Sequence, residues 1–535
     1  MKILVIGLDA ATMDLIEPWT AAGHLPALSL LMESGASGRL VSTPNMHSAS
    51  AWTSILTGLN PGRHGLFVFS DRDFATGKQV FFKGGDRTGE LIGSHLARHG
   101  LTSGFLNVPM TYPAQHLADG FMVSGLDAPS LNEHAFSPAG LREELLDRFP
   151  GYRFTPTDLG DLMRAGRLDQ AIVAWLDLIE TQTAVAEYLI TGKPVDFFMT
   201  VYTASDWAGH NLWSSPGEPA SGSKLLQIYR ALDSAIERLL NHATAETQVY
   251  VISDHGMGRH TGASYHLANW LEARGYMVRT NRSQTRHSFI RASRKAAHSL
   301  LPASVRERVK AGMSQELAGR LKAVEKDTFY SSIEWQRTVA YTEPGRHVIN
   351  INLQGRNSAG TVSQSAYDEV CLEIISELEQ WTDAEANRVV NRVVRRHEAY
   401  NGPFTERASD LYVNWNPNAR LGEPPDEVRD RGFWWKGDHR PEGILICKGP
   451  GLNSTAFEAL PTVCDLVPTI MYAAGLPVPD NLDGRVISGV FTGEVLSERP
   501  VQQTTGSSQS SGEGVTLSPE EERLVEEKLR GLGYL

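Results

Sequence analysis

Five places along the 535-residue chain carry residue types able to bind divalent cations or attack phosphorus. Asp9 directly follows the apolar run KILVIGL, and Thr43–Gly65 (TPNMHSASAWTSILTGLNPGRHG) supplies hydroxyls, an amphipathic stretch and a Gly/Pro-rich turn. Asp206 and His210 stand four apart, so one side of a helical turn could present both to a single ion. Asp254 and His255 follow the apolar run QVYVIS; neighbours leaving a strand end point in different directions, so each could serve a different ion. His439 lies in GDHRPEGILI, just before another apolar run. Singly, each has a plain reading: a turn Asp, a helix-capping Ser, a solvated His. Collectively, three Asp, three His and Ser48 without cysteine suit zinc, manganese or a similar cation. Two such ions a few ångströms apart hold both the attacking and the leaving oxygen of a phosphoryl transfer.

Short apolar, β-branched runs must position these groups: Lys2–Ile6, Thr102–Val108, Val195–Thr203, Gln248–Ile252 and Gly443–Cys447. Helical-period segments, including Leu168–Thr191 and Ser223–Ala243, alternate with them. That alternation predicts an α/β fold, a three-layer α/β/α sandwich with a mostly parallel central sheet. In such sheets ligands bind beyond the carboxyl ends of the strands. A stretch from Arg279 to Lys322 holds 11 Lys/Arg against Glu307 and Glu316, the composition of a solvated helical face. With a strand expected at Val348–Leu353 and a helix at Ser365–Trp381, residues 266–430 read as an inserted α/β cap. The core is then 1–265 and 431–500. A flexible linker at 501–515 leads to a terminal helix at 516–535. Ser518-Pro519-Glu520-Glu521 marks that helix's start and Gly531 its C-cap, while Leu524, Val525, Leu529 and Leu532 could dock on the body or on a second copy. A homo-oligomer is therefore possible.

A formal net charge of -12 argues against a dedicated nucleic-acid partner. Cys371, Cys447 and Cys464 are widely spaced and form no CxxC pair, which fits a reducing compartment. No transmembrane segment or secretory leader is expected, because no apolar run is long enough. The expected location is cytoplasmic.

The order Asp, Ser in a TGxxPGxHG context, DxxxH, SDHG and a late GxH resembles the alkaline phosphatase superfamily. More closely, it resembles the type I phosphodiesterase/nucleotide pyrophosphatase branch and its bacterial phosphohydrolase/phosphomutase group. GLDA, SASAWTSILTGLNPGRHG, NVPMTYP, SDHGMG, GDHRPEGILI, DLVPTIMYAAGLPVP and LRGLGYL carry the likeness from the first strand to the last residue. Arg279–Phe329 carries none of it. The resemblance implies that Asp9, Asp254 and His255 hold one divalent ion together with Ser48, and that Asp206, His210 and His439 hold the other. Zinc is the implied metal and manganese the alternative. Ser48 stands nine residues before Thr57 of the TG motif, the family's nucleophile spacing, which Ser50 and Thr53 do not fit. Many relatives have Pro where Ser50 stands. Asn107 matches a position near the substrate phosphate.

The implied activity is hydrolysis of a small phosphorylated substrate, nucleotide-like or lipid-headgroup-like, through a phosphoserine. Ser48-Ala-Ser-Ala-Trp52 lacks the Pro and Arg of sulfatases, and the serine motif differs from that of the cofactor-independent mutases. No Arg stands immediately beside Ser48, and Arg63 reads as a surface or capping residue. A diester or pyrophosphate-type substrate is therefore expected over a monoester. A non-catalytic metal-bound binding module is the alternative from another class, but it predicts an incomplete residue set, and all seven residues are present.

Overall fold

A computed structural model describes residues 1–156, 158–213, 223–280, 329–425, 428, 435–455, 460–506 and 515–532. Eight of its strands make one sheet: β1 (Ile3–Leu8), β2 (Ala36–Val41), β3 (Ser103–Val108), β4 (Phe121–Ser124), β5 (Phe136–Ser137), β6 (Phe197–Tyr202), β7 (Gln248–Ile252) and β8 (Glu442–Lys448). Their order is β2-β8-β7-β1-β6-β3-β4-β5. The five strands from β7 to β4 run parallel. β8 is antiparallel to both its neighbours, and β5 is antiparallel to β4. Every residue of β1 is buried, as an unbroken apolar run requires when both faces are covered.

Alternation along β1 sends its side chains into two cores. Leu4, Ile6 and Leu8 join one that includes the Leu168–Gly192 and Lys224–Leu240 helices, and Ile3 and Val5 join one that includes Ser48–Thr57 and Leu466–Ala473. The expected three-layer sandwich is what forms. The predicted Val195–Thr203 strand is trimmed at both ends for local reasons. The Asp196 carbonyl accepts from the N–H groups of Lys2 and Ile3, and Thr203 becomes the N-cap of the Ala204–Leu212 helix.

A further antiparallel sheet takes its strands in the order Ala340–Tyr341, Val348–Ile351, Leu411–Trp415 and Val390–Arg395. With the Tyr367–Glu379 and Ala263–Ala273 helices it encloses its own apolar core. Its polar centre is the buried Asp410, which accepts from Ile351 N (2.6 Å), Arg356 Nη1 (2.9 Å) and Tyr367 Oη (2.8 Å) and pairs with Arg396 Nη1 (3.0 Å). The basic stretch lies outside the described residues from 281 onward.

The terminal helix spans Pro519–Leu532 and docks on the body through Val525, Leu529 and Leu532. Ser518 N donates to Glu521 Oε2 (2.9 Å) and Ser518 Oγ accepts from Glu521 N (3.3 Å), a capping box. Gly531 is inside the helix rather than its C-cap, since burying Leu532 offsets the modest cost of a helical glycine. The expected linker is partly ordered as well, because Gln503–Thr504 pairs in parallel with Val478–Pro479; residues 507–514 lie outside the described set. No helix among the described residues is long and apolar enough to cross a membrane.

Lys528 turns inward and donates to the carbonyls of Leu126 (3.4 Å) and Ala128. Burial brings its ammonium down from the usual 10.5 to about 8. Below pH 8 the lysine is charged in both folded and unfolded chains, and the desolvation cost is fully present. Between pH 8 and 10.5 the unfolded chain binds more protons, so this residue's contribution to stability rises with pH. Urea unfolding of wild type and Lys528→Met across that window should show the rise in wild type and its loss in the variant. Parallel pH profiles would refute the buried-lysine account.

Candidate active site

β7, β1 and β6 are adjacent and parallel, with Gly7 opposite both Ile252 and Val201. Their carboxyl ends therefore lie side by side, the place where such sheets bind ligands. Asp9 follows β1, Asp254 and His255 follow β7, and Asp206 lies in the first turn of the Ala204–Leu212 helix after β6. His439 comes from a ribbon in which Gly437–Arg440 pairs antiparallel with Gly256–Arg259. The Ser48–Thr57 helix begins at the nucleophile candidate itself, with His47 as N-cap. One turn on, Trp52 donates Nε1–H to Asp9 Oδ2 (3.0 Å). The Trp52 ring lies so close over Gly7 that a Cβ there would be 2.5 Å from it.

The rest of the TGxxPGxHG segment is structural. Gly58 ends the helix with φ 69, a conformation suited to glycine. His64 Nδ1 accepts from Leu66 N (3.2 Å), so its Nε2 carries the hydrogen that faces Ser54 Oγ (3.1 Å). Arg63 pairs with Asp483 (3.0 Å). Thr53 Oγ1 is turned back to the Ala49 carbonyl (2.6 Å), and Ser50 Oγ bonds Asn45 Oδ1 (2.8 Å).

The potential ligand atoms form two groups, Asp9/Asp254/His255 and Asp206/His210/His439, each with its atoms within 4.8 Å of one another. Asp254 and His255, which leave the strand end as neighbours, converge on one group; His255 Nε2 is 3.3 Å from Asp254 Oδ2. Ser48 Oγ lies 3.3 Å from Asp9 Oδ1 and 3.2 Å from His255 Nε2. The two groups adjoin, with the His255 and His439 rings 3.9 Å apart.

Hydrogen bonding fixes the tautomers. His210 Nδ1 faces the Gly437 carbonyl (3.0 Å), His255 Nδ1 that of Gly256 (3.1 Å) and His439 Nδ1 that of Met46 (2.7 Å). A carbonyl accepts only from N–H, so in the neutral rings the Nε2 lone pairs face inward, the usual second-shell arrangement of metal-binding histidines. His210 Nε2 and His439 Nε2 are only 2.9 Å apart, a separation that suits a proton or a cation between the two rings. Asp254 Oδ2 is buried with no hydrogen-bond partner, which likewise fits a cation.

The carboxylates feel their crowding. Burial, then the charges of Asp254 and Asp206, holds Asp9 well above the carboxylate range, and burial, with the Asp206 charge added, raises Asp254 to about 7. Burial also disfavours the Asp206 charge, but His210 and His439 outweigh it and hold Asp206 low. Burial, reinforced by His439, pushes His255 down.

The family model for type I phosphodiesterase/nucleotide pyrophosphatase matches residues 3–439. The chain belongs to this family, one of phosphoester hydrolases. No curated protein matches it. Wild-type alkaline phosphatase PafA is similar in structure at 13% identity and TM-score 0.53, over 92% of this chain and 99% of that one. Phosphonoacetate hydrolase from Sinorhizobium meliloti, in complex with phosphonoformate, is similar at 15% identity and TM-score 0.51, over 88% and 94%. Murine ectonucleotide pyrophosphatase/phosphodiesterase 5 aligns over 90% and 98% at 13% identity and TM-score 0.48. At these identities the first two likenesses are of fold.

Within this phosphodiesterase-family site, Asn107 stands apart. It has φ 59 at the end of β3, and its Oδ1 accepts from Tyr152 Oη, while Nδ2 is buried without a partner. None of its hydrogen bonds reaches either group. Other neighbours were not legible in the motifs. Trp435 stacks on His210 with ring centroids 3.8 Å apart. Asp438 Oδ1 accepts from His439 N (3.0 Å) and lies 3.1 Å from His347 Nε2, so the smaller sheet's His347 reaches a residue beside a ligand. The one available signal was Asp438's place in GDH, directly before His439.

Zinc titration of metal-stripped chain followed by calorimetry should show two binding events. His439→Ala should lose one and Asp254→Asn the other. If either variant kept both, the two-group division would fail.

Proposed function

We propose that the chain hydrolyses a phosphodiester or pyrophosphate-type bond through a phosphoserine on Ser48, with two divalent cations held by the two groups. One observation carries this reading: Ser48 Oγ is the hydroxyl within 3.3 Å of both Asp9 and His255, beside six potential ligands. Zinc suits the carboxylate and imidazole donors best, with manganese the alternative. When bound, the ions supply charge neutralisation at the oxygens of a phosphoryl transfer and favour the serine alkoxide.

The chain's own residues supply the rest. Asp9 Oδ1 accepts from Ser48 Oγ (3.3 Å) and His255 Nε2 faces the same oxygen (3.2 Å), so the two residues aim the hydroxyl into the ligand group. Trp52 holds Asp9 in place, and His47 caps the helix that carries Ser48. Ser48 Oγ forms a bond to phosphorus as the leaving oxygen departs, and water then cleaves the phosphoserine and restores the hydroxyl. A static, preorganised set of donors and charges accounts for most of the acceleration in such transfers.

A monoester carries one more negative charge and calls for an extra cation nearby. Arg346 is close enough for its charge to help depress the His47 imidazole, after burial and His439. Its Nε already faces Glu343 Oε2 (3.4 Å), and Asp71 is in range of the same charge. That local neutrality favours a diester or pyrophosphate. A cytoplasmic location belongs to the same reading, supported by three unpaired cysteines.

Ser48→Ala should lower turnover of bis-p-nitrophenyl phosphate at least about a thousandfold while leaving zinc content intact. Substantial residual turnover would remove Ser48 as the nucleophile. Faster hydrolysis of p-nitrophenyl phosphate than of the diester by wild type would overturn the substrate choice.

A further inference from the structure

A second cavity, of about 400 Å³, lies between the smaller sheet and the hairpin formed by Ser70–Arg72 and Gln79–Phe81. That volume is within the range of small-molecule sites. The chain reaches the hairpin directly from the nucleophile segment: Phe69, the residue before it, packs edge-on against the His47 ring (5.2 Å).

One wall comes from the run Val348-Ile349-Asn350-Ile351-Asn352. Ile349 and Ile351 enter the lobe core, so the alternating Asn350 and Asn352 face the other way, where both line the cavity. Asn352 is fully buried, and its Nδ2 contacts the carbonyls of Trp335 (2.9 Å), Thr338 (2.9 Å) and Ala359 (3.0 Å). Three carbonyls around one amide nitrogen fix the orientation of the group, and they leave Oδ1 without a donor. Asn350 Oδ1 is likewise buried without a donor. Two orphaned acceptors on one wall are costly unless a ligand or water brings hydrogens to them.

The remaining lining determines the ligand's character. Trp335 meets Tyr341 edge-on at 4.9 Å, and Arg72 lies 4.2 Å above the Tyr330 ring. Tyr330 and Trp335 are parallel but only 6.3 Å apart, and with Arg72 on Tyr330 they leave no open slot for a flat base. Asp73 Oδ1 is taken by Thr76 N (2.8 Å) and Thr76 Oγ1 (2.7 Å), and the polar wall is unsuited to an acyl chain. Orphaned acceptors, a guanidinium and half-buried aromatic rings together match a polyhydroxylated ring: hydroxyls donate to the amide oxygens while C–H faces rest on the aromatics.

We propose that this cavity binds the sugar or polyol portion of the phosphoester hydrolysed at Ser48. The assignment to substrate rests on the hydrolase reading above; the hydroxyl-binding chemistry does not.

Saturation-transfer NMR on the full chain, with methyl glucoside, myo-inositol and adenosine as separate probes, tests the cavity itself. Methyl glucoside or myo-inositol should bind, and Asn350→Leu and Arg72→Ala should each weaken binding about tenfold, the scale of a lost buried hydrogen bond. Absence of polyol binding, a preference for adenosine, or unchanged binding in both variants would overturn the proposal. The second arm compares hydrolysis of a glucosyl p-nitrophenyl phosphodiester with that of bis-p-nitrophenyl phosphate. Asn350→Leu should reduce the preference for the glucosyl substrate about tenfold, chiefly through KM. An unchanged preference despite polyol binding would make the cavity a site for free polyol and overturn its assignment to substrate. If wild type hydrolysed neither diester, the hydrolase reading would fail while the NMR arm still judged the cavity. Turnover of bis-p-nitrophenyl phosphate without polyol binding would sink only the present inference.

Discussion

Three carboxylates and three imidazoles are packed at the end of one sheet, five of the six buried, so the charge of each depends on the others. Asp9, Asp206, Asp254 and His255 are fully buried. Burial disfavours the charges of Asp9, Asp206, His210, Asp254 and His255, and the like charges of Asp254 and Asp206 add to that cost at Asp9. His210 Nε2 and His439 Nε2, 2.9 Å apart, likewise need a proton or a cation between them. Such an arrangement is stable only if the surrounding fold is stiff and a positive charge joins it. The crowding of like charges among Asp9, Asp206 and Asp254 would therefore favour a cation at this place.

Much of the surrounding structure supplies the stiffness. Asp9 is held by Trp52, and Asp254 Oδ1 accepts from Ala10 N (3.2 Å). Ser253 links the two neighbouring segments, donating to the Ala11 carbonyl (2.9 Å) and accepting from Ile444 N (2.8 Å). Ala10 and Met46 take positive φ values of 58 and 47, strained for residues with a Cβ and typical of functional turns. In Met46 that strain has a visible use: its carbonyl receives His439 Nδ1. One backbone group thus fixes the His439 tautomer two residues before Ser48.

The sheet and the spacing of its polar strand ends were legible because each depends on local pattern. An apolar run buried on both faces has few alternatives, and a charged residue after it must leave the sheet at a predictable edge. Asp206 and His210 follow from helical periodicity in the same way. Less visible were contacts made by distant segments. Nothing local to Trp435 signals that it will stack on His210, and Arg346 sits near His47 only because the smaller sheet folds back over the site. Asp254 and His255 show the limit of local geometry. Alternation separates neighbours in a regular strand, but β7 ends at Ile252, so both side chains turn into one group. Gly531 shows the converse, where tertiary burial of Leu532 overrode a good stop signal.

The two lobes divide the work in a way the energetics explain. Charge is concentrated where the central sheet ends, because only a densely bonded scaffold holds like charges together. The smaller sheet, less constrained by that repulsion, sets its polar centre on Asp410 and approaches the metal-ligand groups through few residues. His347 is one of them, reaching Asp438 at 3.1 Å, and Asp438 in turn receives the backbone N–H of His439. Packing within the smaller sheet is otherwise its own, around Asp410 and a separate apolar core. The Asp438–His347 contact is the exception, since any shift of that sheet large enough to break it also loosens a strand carrying a ligand. Placement of the lobe and geometry of the ligands are coupled at that point, through one carboxylate.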